Sequence, residues 1–214
     1  MKVNYKYTSN AYQASLWLNE LPDTIACDFE VAPIYTENEV DMAKFRLANF
    51  STLSWKKRIE QEKIVMANGL SHVSQTMPTH LSIAYSDNES IVIILNNEHI
   101  RQYVCNWLVT TDKKQIWHNC SYDFTHIKKY TGKIPKNFED TMLWVKCLTN
   151  HVETYKARTG LKELEGKIYG AWGLASDNFQ LCNMYNEKFL SYAATDSCAC
   201  YHLYNEIQQC LAST

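Results

Sequence analysis

The sequence predicts an α/β domain, a mixed five-stranded sheet flanked by helices, with a helical pair inserted after the first strand. Three observations carry this. Short apolar runs of strand length alternate with stretches whose apolar residues recur at helical spacing. Their order is strand, hairpin, helix, strand, helix, short strand and helices, as expected for a mixed sheet covered on both faces. The last stretch, Asn186 to Leu211, lacks Gly and Pro and reads as one long helix.

Each element has its own signal. Ser9 to Leu21 carries Tyr12, Leu16, Leu18 and Leu21 at loosely helical spacing, and Leu21-Pro22-Asp23 breaks the pattern. Ile25 to Val31 is the first strand. Thr36 to Met77 is longer than a structureless connection should be, and Glu37 to Phe50 and Thr52 to Asn68 read as two helices, the second closing at Asn68-Gly69. This insertion, at about 36–77, reads as a packing elaboration; the alternative is a lid or a docking surface for a partner.

His80 to Ser86 and Ser90 to Leu95 form a hairpin around Asp87-Asn88-Glu89. Asn97 to Thr110 is a helix with Ile100, Tyr103, Val104 and Trp107 on one stripe, and Gln115 to His118 is the next strand. That strand breaks into a helix through Asn119 and Ser121, both typical helix-entry residues.

At 214 residues the chain suits a single domain, 1–214, large enough to bury a substantial core. No further large domain would fit after residue 214, which points to a stand-alone protein or one subunit of a divided machine. No apolar run approaches a membrane span, and Met1-Lys2-Val3-Asn4 lacks the core of a secretion signal. Eight cysteines without framework spacing suggest reduced thiols and a cytoplasmic setting.

The net charge of -2 is not that of a general nucleic-acid binder. Between Thr111 and Gly170, however, 11 Lys and Arg face 7 Asp and Glu, a patch suited to gripping a few terminal nucleotides. Lys156, Arg158 and Lys162 are its candidates for phosphate contact.

Candidate catalytic groups lie in three segments. On the first strand, Asp28 and Glu30 project from one face while Cys27, Phe29 and Val31 take the other. Two like charges on a strand otherwise made for burial need a positive partner, and hard divalent cations are natural ones. Asp123 falls in the first turn of the helix that follows His118, and Tyr192 and Asp196 share a face of the last helix at i, i+4.

Together these segments resemble the DEDD exonucleases of the ribonuclease-H-like superfamily, in their tyrosine subclass. The ordered signature D-x-E, N-x-x-Y-D and Y-x-x-x-D is present as Asp28/Glu30, Asn119 to Asp123, and Tyr192/Asp196. The histidine subclass would place His five residues before the last Asp, where this chain has Ser191. Phe138 to Leu143 and Gly160 to Leu164 look like the corresponding parts of proofreading domains in family-A DNA polymerases. The similarity covers roughly residues 24 to 31 and 80 to 205.

The resemblance implies a ribonuclease-H-like fold and a metal-dependent 3′–5′ exonuclease releasing nucleoside 5′-monophosphates. Its cofactors would be two divalent cations, Mg²⁺ or Mn²⁺. Asp28, Glu30 and Asp196 would hold one ion, with Asp28 bridging to a second whose shell Asp123 completes through water. Tyr192 would orient the attacking water, since a phenol is a poor base at neutral pH. Val31 and Asn119 would help seat the 3′ end, Val31 through its backbone alone, where many proofreading domains have Thr.

The expected substrate is a DNA 3′ end, single-stranded or frayed, in proofreading or DNA processing. An RNA exonuclease of the ribonuclease D kind and a catalytically silent nucleic-acid- or polymerase-binding module are the alternatives. Asp140, at a strand-to-helix junction, reads as a helix cap rather than a fifth acid. A lone His118 reads as structural, and Trp172 as buried. Cys198, Cys200 and His202 cannot grip one zinc on a helix, because Cys200 points away from the other two.

Overall fold

The computed structural model describes residues 1–34, 37–49, 54–66, 76–149, 159–170, 172 and 184–213. It has two compact units: Met1–Glu30 with Pro78–Thr214, and Val31–Met77. The strands are β1 (Asn4–Thr8), β2 (Thr24–Pro33), β3 (Thr76–Ala84), β4 (Glu89–Ile94), β5 (Lys114–Trp117) and β6 (Phe138–Asp140). The helices are α1 (Ala11–Glu20), α2 (Glu37–Asn49), α3 (Trp55–Met66), α4 (Glu98–Thr110), α5 (Ser121–Thr131), α6 (Thr141–Thr149), α7 (Leu161–Tyr169) and α8 (Glu187–Ala212).

The sheet runs β1-β4-β3-β2-β5-β6. β3 and β4 are the expected antiparallel hairpin, whereas β1/β4, β2/β5 and β5/β6 pair in parallel. It therefore has six strands where the sequence predicts five. The added strand, Asn-Tyr-Lys-Tyr-Thr, borders the sheet with mostly exposed side chains, so no apolar run announces it.

Strand alternation separates two cores. Ile25, Cys27 and Phe29 of β2, with Ile83, Ile93 and Trp117, face α1, α4 and α5. Ala26, Ala84 and Ile116 face the other way, onto Cys198, Ala199 and Cys200 of α8. Farther along, Val92 and Ile94 meet Leu190 and Ala194. The small side chains of Ala193 and Ala194 are fully buried and let α8 lie close to the sheet, where Ser90 and Ser197 share a 3.0 Å hydroxyl contact.

Local signals fix the helix ends. Asn10 and Asn97 cap α1 and α4, their side-chain oxygens accepting from the amides of Gln13 and Ile100 at 3.0 Å. Gly132, at φ +70°, ends α5 in the left-handed conformation that glycine adopts without penalty. In the unit Val31–Met77, α2 and α3 form the expected helical pair, with Arg46 donating to Gln61 at 3.3 Å. The predicted extensions to Phe50, Thr52 and Asn68 lie outside the described residues. No described helix is long and apolar enough to cross a membrane.

Candidate active site

Elements far apart in the sequence build the site. β2 presents Asp28 and Glu30 on the face that carries Ala26, the side covered by α8. α8 contributes Tyr192 and Asp196, one turn apart. Asp28, Glu30 and Asp196 each offer an oxygen, and the three lie within 4.8 Å of one another. Thr79 and Ser82 steady the strand, donating to the carbonyls of Glu30 at 3.1 Å and Asp28 at 3.4 Å.

Asp123, in the first turn of α5, borders this trio rather than joining it. Its Oδ1 accepts a 3.3 Å hydrogen bond from the Phe29 amide, the link between Asp28 and Glu30. Its charge is felt by both of those carboxylates.

Burial and crowding set the electrostatics. Asp28 is pushed well above the usual carboxylate range by desolvation, then by the charges of Glu30, Asp196 and Asp123. Glu30 is raised by desolvation and then by Asp196. Asp123 is pushed up to about 7, mainly by burial, against the lowering effect of the Phe29 amide. Asp196 is also raised by burial, which outweighs the opposing pull of Lys162 and of its hydrogen bonds. Glu30 Oε1 is buried without a hydrogen-bond partner, a state costly for a carboxylate unless a cation meets it. The donor set is all oxygen, which suits a hard divalent cation.

One cation already reaches the cluster. Lys162, on α7, lies 3.5 Å from Asp196 Oδ2, donates to the Tyr192 hydroxyl at 2.5 Å and sits 4.4 Å from the centre of that ring. Its charge lowers the pKa of Asp28, Glu30 and Asp196 alike. Tyr192 itself is held above the ordinary phenol value by burial and then by Asp196, Glu30 and Asp28, so its hydroxyl keeps its proton.

Trp172, which the sequence suggests is simply buried, belongs to the site: its Nε1 donates to Asp196 Oδ1 at 2.6 Å. No spacing rule links a tryptophan to an acid 24 positions later, so no sequence signal identifies it. Asn119 is exposed, and its side chain accepts from Ser121 at 3.4 Å. Val31 follows Glu30 on the strand and is partly buried. Lys156 and Arg158 lie outside the described residues.

The entry to α5 differs from expectation. Cys120, not Asn119 or Ser121, holds the cap position and makes no side-chain capping bond. Asp140 does that work instead, accepting from the Asn119 amide at 3.0 Å and the Cys120 amide at 2.9 Å. It also caps α6, taking the Met142 amide at 2.9 Å. Desolvation would raise its pKa, but these amide bonds together outweigh burial and lower it. The clamp holds Asn119 at φ 63°, a left-handed position that asparagine tolerates.

The remaining candidates are structural. His118 shares a 2.9 Å hydrogen bond with Thr141, and burial lowers its pKa. Cys198 and Cys200 are buried in the core, and His202 pairs with Glu165 at 2.9 Å, so the three do not converge. Glu165, His202 and Glu206 form a second group close enough to share an ion, but there the buried carboxylate already has its imidazole partner. The seven described cysteines are free thiols.

No protein-family model matches the sequence, and no curated protein matches it. Solved structures do match. NrnC of Brucella melitensis, with bound Mg²⁺, superposes at a TM-score of 0.60 with 18% identity, covering 100% of this chain and 83% of that one. The catalytic core of RRP6 from Trypanosoma brucei gives 0.64 with 12% identity, over 98% of this chain and 47% of that chain. RNase D of Trypanosoma brucei gives 0.61 with 14% identity, over 95% and 64%. The chain shares its fold with these solved structures. The likeness to family-A proofreading domains rests on the sequence motifs alone.

Proposed function

We propose that this chain is a divalent-metal-dependent 3′–5′ exonuclease acting on single-stranded nucleic-acid ends. The observation that carries the reading is the trio Asp28, Glu30 and Asp196, whose oxygens lie within 4.8 Å of one another and include the buried Glu30 Oε1, which has no hydrogen-bond partner among the described residues. A binding module has no use for converging acids whose mutual repulsion destabilises the fold.

Asp28, Glu30 and Asp196 would hold one ion, and Asp28 with Asp123 a second. Bound there, Mg²⁺ or Mn²⁺ would supply Lewis-acid stabilisation of the attacking and departing oxygens of an in-line displacement. The chain's own groups supply the orientation. Tyr192, neutral and hydrogen-bonded to Asp196, would orient the attacking water through its hydroxyl. Trp172 fixes the rotamer of Asp196 through Oδ1. Lys162, with Asn119, would meet the terminal nucleotide and its phosphate.

Two substrates have separate support. The motifs around Asn119 and Phe138 favour a DNA 3′ end. The structural neighbours favour RNA: they include RNase D and RRP6, and NrnC is also seen bound to pGG. The test is incubation of the purified protein with end-labelled single-stranded DNA and RNA of one sequence, and with a 5′-phosphorylated dinucleotide, in Mg²⁺, Mn²⁺ or EDTA. A ladder shortening from the 3′ end in metal and absent in EDTA is expected. Intact substrates in every metal would remove the reading.

A further inference from the structure

Lys162 stands where an incoming divalent ion would feel it most. Its ammonium is 3.5 Å from one of the three carboxylates and lowers the pKa of all three, so it partly neutralises the cluster. A cation at the centre of the trio would be repelled by it at short range. Yet it sits at the boundary with solvent: the Lys162 side chain is 44% exposed against 9% for Asp196, so its charge is partly screened. Four rotatable bonds let the ammonium swing from Asp196 toward solvent, where a substrate phosphate would lie.

We propose that Lys162 is an exchangeable counter-ion that couples metal loading to substrate, held on Asp196 and Tyr192 in the free protein and drawn away by the phosphate of the terminal nucleotide. This rests on the exonuclease reading and deepens it. Drawing Lys162 onto a phosphate removes a positive charge from the trio and raises its affinity for divalent ions. By linkage, the ions raise the affinity for the nucleotide by the same factor. Lys162 thereby acts as a positioning residue, releasing the site for metal when substrate is present.

The test is Mn²⁺ binding, followed by electron paramagnetic resonance, in the wild type, Lys162→Met and Lys162→Arg. Each is titrated alone, with a nucleoside 5′-monophosphate, and with the unphosphorylated nucleoside. Lys162→Met should bind Mn²⁺ about tenfold tighter than wild type without nucleotide, from loss of one nearby charge at the boundary with solvent. The gain brought by the monophosphate should shrink by a similar factor, Lys162→Arg should follow wild type, and the nucleoside should have no effect on any of them.

Equal Mn²⁺ affinity in wild type and a folded Lys162→Met would overturn the proposal, as would an undiminished monophosphate gain. Either result leaves the exonuclease reading standing if wild type still binds Mn²⁺ and shortens the labelled strands. A wild type that binds no Mn²⁺ removes both. Should Lys162→Met fail to fold, Lys162→Gln carries the same comparison.

Discussion

Trp172 Nε1 lies 2.6 Å from Asp196 Oδ1, so an indole from outside the regular elements holds one of the three clustered acids in place. A hydrogen bond to a charged group contributes about 1.5–3 kcal/mol. Trp172→Phe keeps the ring and removes the donor. If the bond orients Asp196 during hydrolysis, the rate at saturating substrate should fall by about tenfold to a hundredfold, as each 1.4 kcal/mol is a factor of ten. Single-turnover kinetics beside a thermal melt separates this from simple unfolding.

Tyr192 and Asp28 should behave differently. Tyr192→Phe removes the hydroxyl beside Asp196 but no carboxylate, so hydrolysis should weaken by about a hundredfold while Mn²⁺ binding persists. Asp28→Ala removes a member of the trio and should abolish both hydrolysis and tight Mn²⁺ binding. Calorimetric titration with Mn²⁺ reads the contrast, and normal turnover by Asp28→Ala would end the proposed mechanism.

The acid cluster predicts how stability responds to pH. Asp28, Glu30, Asp123 and Asp196 all have raised folded-state pKa values, Asp123 reaching about 7. Stability tied to their protonated forms is fully present below the unfolded carboxylate pKa and is lost as pH rises through each raised folded value, about 7 for Asp123. His80 and His126 oppose this. Burial lowers each to about 4, so they lose stability as pH falls below the imidazole range. A divalent ion acts on the acids alone. The rise in melting temperature produced by Mg²⁺ should therefore grow steadily from pH 5.5 to pH 8, measured against EDTA at each pH. A constant rise would separate the metal from these carboxylates.

Asp140 should matter for folding more than for chemistry. Its carboxylate takes the amides of Asn119, Cys120 and Met142, and Asp140→Ala leaves them without that acceptor. The cost should be about 2–3 kcal/mol in urea unfolding, the upper part of the range for a lost cap with further buried amides. Asp140 contributes no oxygen to the acid trio, so activity should fall mainly as the folded fraction does.

Much of this molecule was legible from residues alone, for physical reasons. The two-residue period of β2 put Asp28 and Glu30 on the side of Ala26, and the helical period of α8 aligned Tyr192 with Asp196. The hairpin, α4, α5 and α8 likewise follow from local patterns, whereas α6 and α7 were expected only through the family resemblance. What stayed hidden depends on distant contacts. β1 carries no apolar run and exists by pairing with β4, Trp172 finds Asp196 through tertiary packing, and Cys120 is capped by an acid 20 positions away. Lys162 was visible as a basic residue, but its place on Asp196 and Tyr192 was not.

The carboxylates that converge here come from positions 28, 30, 123 and 196, so the last helix closes the site. A fragment that ends before α8 still contains Asp28, Glu30 and Asp123 but lacks Tyr192, Asp196 and the sheet's covering helix. The trio of acids is therefore complete only once α8 has docked on the sheet, and such a fragment carries Asp28 and Glu30 without their third member.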